Sequence, residues 1–258
     1  MAKKREVFDR IKRATVAIVG LNVPDARHPF TIIGSGACID KDGIVVTCRH
    51  VVDGFMATPA LEQIKTPTGR TTPDGGQFLP PVQMLEMYSV FFGMASPTQV
   101  TALLARVTHV ICKTDFDVAL LKVNVDPAAF PDGFPCVELE QPDGVAEGDE
   151  IATCGFPLGT NLHDQLGTVT SSFTRGIISS IIPAAGAPRD MIRGFQLDLG
   201  ATHGNSGGPV FVLESGRVFG AIESGVAHLV KAAPIYPVLQ HDAVNRLKSA
   251  VPGRLPEM

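Results

Sequence analysis

The chain has 258 residues, 45% of them apolar and 19% charged, and a net charge of −4 at pH 7. That is enough apolar material for one large unit or two lobes sharing an interface, and the charge balance offers no basic face of the kind a nucleic-acid binder carries. No stretch reaches the ~18 apolar residues of a membrane helix. The basic start, Met1 to Val7, leads into no secretory apolar run, so the expectation is a cytoplasmic protein with no stable membrane insertion.

Glycine (26) and proline (20) are abundant and long 3.6-residue periodicities are scarce, which favours many short strands joined by turns. The absence of Trp and the presence of only two Tyr argue against an aromatic recognition surface. The five cysteines, Cys38, Cys48, Cys112, Cys136 and Cys154, are odd in number and show no C-x-x-C, so small buried hydrophobes are expected rather than disulfides or a zinc site. No metal and no cofactor is expected.

Residues 1–13 hold six basic positions, with Val7, Phe8 and Ile11 about one helical turn apart. A short amphipathic helix is compatible with this, but a solvated, poorly ordered basic end is the expectation, as for most termini. Ala14–Leu21 reads as the first strand. Residues 30–39 and 44–48 read as a hairpin around Lys41-Asp42-Gly43, with His50 just beyond its second strand. Prolines 59, 67, 73, 80 and 81 and glycines 69, 75 and 76 break regular structure between about 57 and 82, so residues 53–100 read as an irregular insertion in which Met84–Phe92 is apolar enough for a strand. Gln99–Thr108 and Val110–Lys113 are strand-like and lead to Asp117, which opens the buried strand Val118–Val123.

Residues 126–147, rich in Pro and Asp, read as a linker, and Gly148-Asp149-Glu150 opens the strand Ile151–Cys154. Val169–Ile182 is β-branched and strand-like, Ala184–Arg189 is a turn, and Gly194–Leu199 is the strand before a glycine-rich turn. Val210–Leu213 and Val218–Ile222 should form a hairpin around Ser215-Gly216. Tyr236–Val251 has apolar residues at three- and four-residue steps and reads as a helix.

Three stretches carry chemistry. His203-Gly204-Asn205-Ser206-Gly207-Gly208-Pro209 sets a hydroxyl on a glycine turn, where consecutive backbone N–H groups converge beside it, as an acyl-transfer nucleophile requires. His50 follows a strand and Asp117 opens one, giving the chain order His…Asp…Ser, one of the known orders of a serine triad. Asp115 is the competing carboxylate. A bland reading of each alone is a glycine turn, a loop histidine and a strand-capping aspartate.

Taken together, Gly34-Ser35-Gly36…Ile39-Asp40…Gly43…Thr47…His50-Val51-Val52, Asp117-Val118-Ala119-Leu120-Leu121-Lys122 and Gly204-Asn205-Ser206-Gly207-Gly208-Pro209 resemble the protease domain of the HtrA/Deg branch of trypsin-like serine proteases. The resemblance covers most of residues 14–250 and implies an all-β fold: two six-stranded antiparallel β-barrels and a C-terminal helix. The boundaries it implies are an N-terminal barrel over 14–125, a linker over 126–147, a C-terminal barrel over 148–234 and a helix over 235–251. It implies His50, Asp117 and Ser206 as catalytic residues, the backbone N–H groups of Gly204 and Ser206 as an oxyanion hole, and Glu223-Ser224-Gly225 as the strand that pairs with a protein or peptide substrate.

Gly200 lies six positions before Ser206, so the P1 pocket has no acidic floor and a small or medium apolar P1 residue is expected. Glu223 departs from the small or neutral residue usual there, and solvent or a cation such as Arg49 is its expected partner. His203 and His163 have no paired ligand spacing. About seven residues follow Val251, too few for the PDZ module many relatives carry, so none is expected. Oligomerisation is left open. The alternative to an endopeptidase is a catalytically silent peptide- or protein-binding scaffold on the same fold; a third reading, an unrelated β-barrel binding protein, leaves three motifs unexplained.

Overall fold

The computed structural model describes residues 2–21, 30–56, 70–71, 77–79, 87–96, 99–113, 116–124, 127–159, 169–183, 191–226, 229–239 and 243–249. In chain order the elements begin with helix α1 (Ala2–Ala14), strands β1 (Thr15–Leu21), β2 (Phe30–Asp40) and β3 (Ile44–Thr47), and helix α2 (Arg49–Met56). Five further strands follow: β4 (Arg70–Thr71), β5 (Gln77–Leu79), β6 (Met87–Ser96), β7 (Gln99–Lys113) and β8 (Val118–Asn124). The second half supplies β9 (Glu150–Gly155), β10 (Ser172–Pro183), β11 (Ile192–Asp198), β12 (Pro209–Val212), β13 (Val218–Val226) and β14 (Leu229–Pro234), then the short helices α3 (Tyr236–Leu239) and α4 (Ala243–Lys248).

Six of these strands, in the order β6-β1-β2-β3-β8-β7, close into an antiparallel ring, and the β4–β5 hairpin adds to the far half of β7. The second ring runs β10-β11-β14-β13-β12-β9. Closing a sheet in this way leaves no edge in the ring to template aggregation. Apolar side chains pack both halves: Ile44, Val46, Leu120 and Leu121 are buried in the strands of the first barrel, Ile151, Phe195, Leu197 and Val210 in those of the second. The first barrel's β1 is buried on both faces. Val16 and Ile18 enter the main core, while Ala17 and Val19 pack with Phe156 from the second half. The two rings are therefore held against each other by apolar contact as well as by the connecting segment, where Phe130 meets Phe91 of β6 edge-on and Phe134 meets it tilted, with ring centroids 5.4 and 5.3 Å away.

Two expectations change. The basic N-terminal segment is not a solvated end: α1 docks at the junction of the barrels, with Val7, Ile11 and Ala14 buried among Ala152, Phe211 and Leu213. Phe8 meets the edges of Phe173 (4.6 Å) and Phe211 (6.0 Å), and Arg10 pairs with Glu138 at 2.9 Å. The apolar stripe prevails over the terminal position because burying it removes several large side chains from water. The irregular insertion does not reach residue 100, since β6 and the start of β7 are barrel strands and α2 occupies Arg49–Met56; residues 57–69, 72–76 and 80–86 lie outside the described residues. The expected C-terminal helix is present in α3 and α4; residues 240–242 and 250–251 lie outside the described residues, as does the turn at 184–190.

Ile11 is fully buried and one of the largest such side chains. Ile11→Ala should lower unfolding free energy by about 2–5 kcal/mol, as truncations in a packed core do. Chemical denaturation measures this, and a change under about 0.5 kcal/mol, the surface value, would contradict the docked helix.

Candidate active site

Strand β3 ends at Thr47, and α2 begins two residues later, so His50 sits in the first helical turn at the mouth between the barrels. Asp117 lies immediately before β8, which pairs with β3, so the sheet register brings the two together (Thr47 opposite Ala119). Both carboxylate oxygens of Asp117 engage His50: Oδ1 accepts from the backbone N–H at 2.9 Å, and Oδ2 lies 2.5 Å from ring Nδ1. An ionised carboxylate only accepts, so Nδ1 carries the proton and Nε2 of the neutral ring is left as an acceptor. The hydrogen bond to Asp117 raises the His50 pKa above its ordinary value against the opposing effect of burial, and the negative charges of Asp117, Glu223 and Asp53 add to it. Asp115 lies outside the described residues.

The glycine turn that carries Ser206 is built by close approach. Gly204 (φ 95°) and Gly207 (φ 83°) occupy the left-handed region. A Cβ on Gly204 would collide with the Phe156 carbonyl, and one on Gly207 with the Ser35 carbonyl and the Thr47 hydroxyl. The His203 carbonyl accepts from the Leu158 N–H at 2.6 Å, and Leu158 itself adopts φ 60°. The C=O and N–H of a trans peptide point in opposite directions, so this bond turns the Gly204 N–H away from the 155–159 turn. Among the described residues, the N–H groups of Gly204 and Ser206 donate to no protein acceptor, and no hydrogen bond joins Ser206 Oγ to His50.

The residue that holds this turn is Ser35 of β2, fully buried. Its Oγ donates to the Gly204 carbonyl (2.7 Å) and accepts from the Phe156 N–H (3.0 Å). Its N–H donates to the Ser206 carbonyl (2.7 Å), and its own carbonyl accepts from Thr47 Oγ1 (2.7 Å). Sequence reasoning placed Ser35 within a motif but gave it no task; a lone serine between two glycines in an apolar strand was the available signal.

Glu223 was expected to face solvent or a basic partner such as Arg49, and it has a basic partner. That partner is Lys231 on the neighbouring strand, at 2.6 Å with the Glu223 side chain 18% exposed, while Arg49 pairs with Asp53 one helical turn on. The reason is a bulge: the β13–β14 register shifts between Ile222 and Ser224, which re-aims the Glu223 side chain. Glu223 and Lys231 line a cavity of about 300 Å3 together with Asp117, Arg49, Asp53 and Arg193. Ser224 and Gly225 are exposed, and β12 pairs with β13 only as far as Ala221, so one edge of residues 223–225 is unpaired among the described residues. Gly200 lines a different cavity, about 420 Å3, with Ala201, Thr202, Asn205 and Thr153. His203 is exposed, and His163 lies outside the described residues. All five cysteines are free; four are buried and Cys136 is partly exposed.

Residues 34–220 match the trypsin-like peptidase domain family, and the chain belongs to it. It is 30% identical over 189 residues to the probable periplasmic serine endoprotease DegP-like of Halomonas elongata, covering 73% of this chain and 28% of that protein. It is 23% identical over 249 residues to the mitochondrial serine protease HTRA2 of Drosophila persimilis, covering 91% of this chain and 46% of that protein. The chain thus spans less than half the length of these curated relatives. Among solved structures, the crystal structure of Deg5 superposes with a TM-score of 0.58 at 18% identity, covering 95% of each chain, which shows the shared two-barrel fold.

Two measurements check this geometry. Ser35→Ala leaves the Gly204 carbonyl and the Phe156 N–H without their buried partner and should cost about 1–3 kcal/mol of stability, read by denaturant unfolding. The Glu223 carboxylate favours the imidazolium form, so Glu223→Gln should move the NMR titration of the His50 ring to lower pH, and Lys231→Met, which leaves that carboxylate unpaired, should move it to higher pH. An unchanged His50 titration in both variants would show that Glu223 does not face the ring.

Proposed function

We propose that the protein is a serine endopeptidase that cleaves peptide bonds through an acyl-enzyme intermediate. The observation that carries this reading is the two-oxygen hold of Asp117 on His50, which leaves Nε2 as the free base. In the proposed reaction Ser206 Oγ attacks the substrate carbonyl while Nε2 of His50 takes its proton, because a free serine hydroxyl is a weak nucleophile. Asp117 fixes the ring tautomer and stabilises the imidazolium that forms. The Gly204 and Ser206 N–H groups donate to the developing oxyanion; a lost donor of this kind costs roughly 10²–10³ in rate. His50 returns the proton to the leaving amine, and water, activated by the same ring, hydrolyses the acyl-enzyme.

The substrate is proposed to add as a strand along the free edge of residues 223–225. The HtrA-type protease AlgW, a structural neighbour at a TM-score of 0.57 and 16% identity, has been solved with a decapeptide. Lacking an acidic residue at Gly200, the chain is proposed to accept a small or medium apolar P1 side chain.

A second reading, a binding scaffold that does not hydrolyse, draws on the absence of a Ser206–His50 hydrogen bond among the described residues. Catalytic hydrogen bonds often tighten only when substrate is bound, so the endopeptidase reading is preferred. A fluorophosphonate probe separates the two. The wild-type protein should label and Ser206→Ala should not, with peptide turnover falling on the order of 10⁶ in that variant. Wild-type protein that stays unlabelled, with and without added unfolded protein, would favour the scaffold.

A further inference from the structure

One nucleophilic group beside the candidate triad has no part in the reaction above. Cys48 lies between β3 and α2, two residues before His50, and is fully buried. Its thiol donates to the Ile222 carbonyl at 3.0 Å. Its Sγ, a ring nitrogen of His50 and a carboxylate oxygen of Asp117 lie within 4.8 Å of one another. We propose that Cys48, His50 and Asp117 form an inhibitory site for a thiophilic divalent cation of the zinc and cadmium kind.

The donor set decides the class of ligand. One thiolate sulfur, one imidazole nitrogen and one carboxylate oxygen suit zinc or cadmium, whereas magnesium and calcium take shells of oxygen alone. Zinc–ligand bonds of about 2.0–2.3 Å imply donors roughly 3.3–3.8 Å apart around a tetrahedral ion. The three donors, within 4.8 Å of one another, must settle to that spacing, and the His50–Asp117 contact of 2.5 Å must open. Short side-chain movements supply both. The Asp117 carboxylate borders the 300 Å3 cavity, which gives a cation a route from solvent, and the side chains of His50 and Asp117 are 46% and 21% exposed. The other charges around that cavity are Arg49, Asp53, Arg193, Glu223 and Lys231, three cations against two carboxylates. An arriving cation is therefore drawn by Asp117 rather than by a general negative field; burial raises the Cys48 pKa, so its thiol ionises only as the sulfur–metal bond forms.

Binding balances without an oxidant. The Cys48 S–H releases its proton to solvent and a sulfur–metal bond forms. Nδ1 of His50 gives up its proton and ligates the ion through its lone pair, and Nε2 takes up a proton in exchange. A ring held in that tautomer has no lone pair at Nε2 with which to accept the Ser206 proton, so the bound metal removes the base. The inhibitory consequence rests on the endopeptidase reading; the metal site itself does not.

The test uses the full chain with Cys136, the one partly exposed thiol, changed to Ser. Cadmium is titrated while sulfur-to-cadmium charge-transfer absorption and fluorophosphonate labelling are read in parallel. The expected result is a band that saturates at a single equivalent, with labelling lost over the same range and restored by chelator, and no effect of magnesium. Cys48→Ala and Cys48→Ser should both lack the band and keep cadmium-insensitive labelling; the second covers the case in which the first fails to fold. A band that persists in either variant, or no band in the parent, overturns the proposal. A Cys48-dependent band in a protein that never labels upholds the metal site and defeats the endopeptidase reading.

Discussion

One buried serine of the first barrel makes four hydrogen bonds, two of which hold the glycine turn. Ser35 reaches the carbonyls of Gly204 and Ser206 in that turn, the N–H of Phe156 and the hydroxyl of Thr47, three separate segments in all. The approach is possible because the residues around it carry no Cβ where backbones meet. A Cβ on Gly34 would strike Val51 and the Ser206 carbonyl, and one on Gly36 would strike the Val46 carbonyl. Each of these polar groups is away from water, so each unmade bond carries the full cost of an unsatisfied buried group. The position of Ser206 is thus set by the first barrel although its sequence neighbours belong to the second.

The same junction concentrates charge. Asp117, Glu223 and Asp53 all stabilise the charged form of His50, yet only Asp117 touches the ring. Lys231 on Glu223 and Arg49 on Asp53 leave Asp117 as the carboxylate whose charge is directed at the imidazole. A second carboxylate beside a catalytic histidine would otherwise hold the ring protonated over a wider pH range and withdraw it from use as a base. The arrangement accommodates an acidic residue at a strand position that faces a groove.

Legibility from sequence followed the range of the interactions. His50, Asp117 and the 204–209 turn were readable because each depends on its own neighbours: a strand end, a strand start, a run of glycines. The docking of α1 was not, since Arg10 meets Glu138 and Phe8 meets Phe211, partners more than a hundred residues away. The Glu223–Lys231 pair depends on a register shift between β13 and β14 that local composition does not announce. The Arg49–Asp53 pair was within reach, because it needs only that α2 be a helix. Strand β6 was partly hidden by the prolines on its N-terminal side, which made a barrel strand look like the tail of an insertion.

We propose that Ser35 holds the glycine turn with Ser206 Oγ between the His50 base and the N–H donors of Gly204 and Ser206. A crystal structure of the protein after reaction with a peptidyl phosphonate tests it most directly. The expected result is a covalent bond from Ser206 Oγ to phosphorus, a phosphonyl oxygen about 3 Å from the N–H groups of Gly204 and Ser206, and Nε2 of His50 within hydrogen-bonding reach of the adduct. An adduct on another residue, or one on Ser206 with its oxygen turned away from both N–H groups, would contradict it.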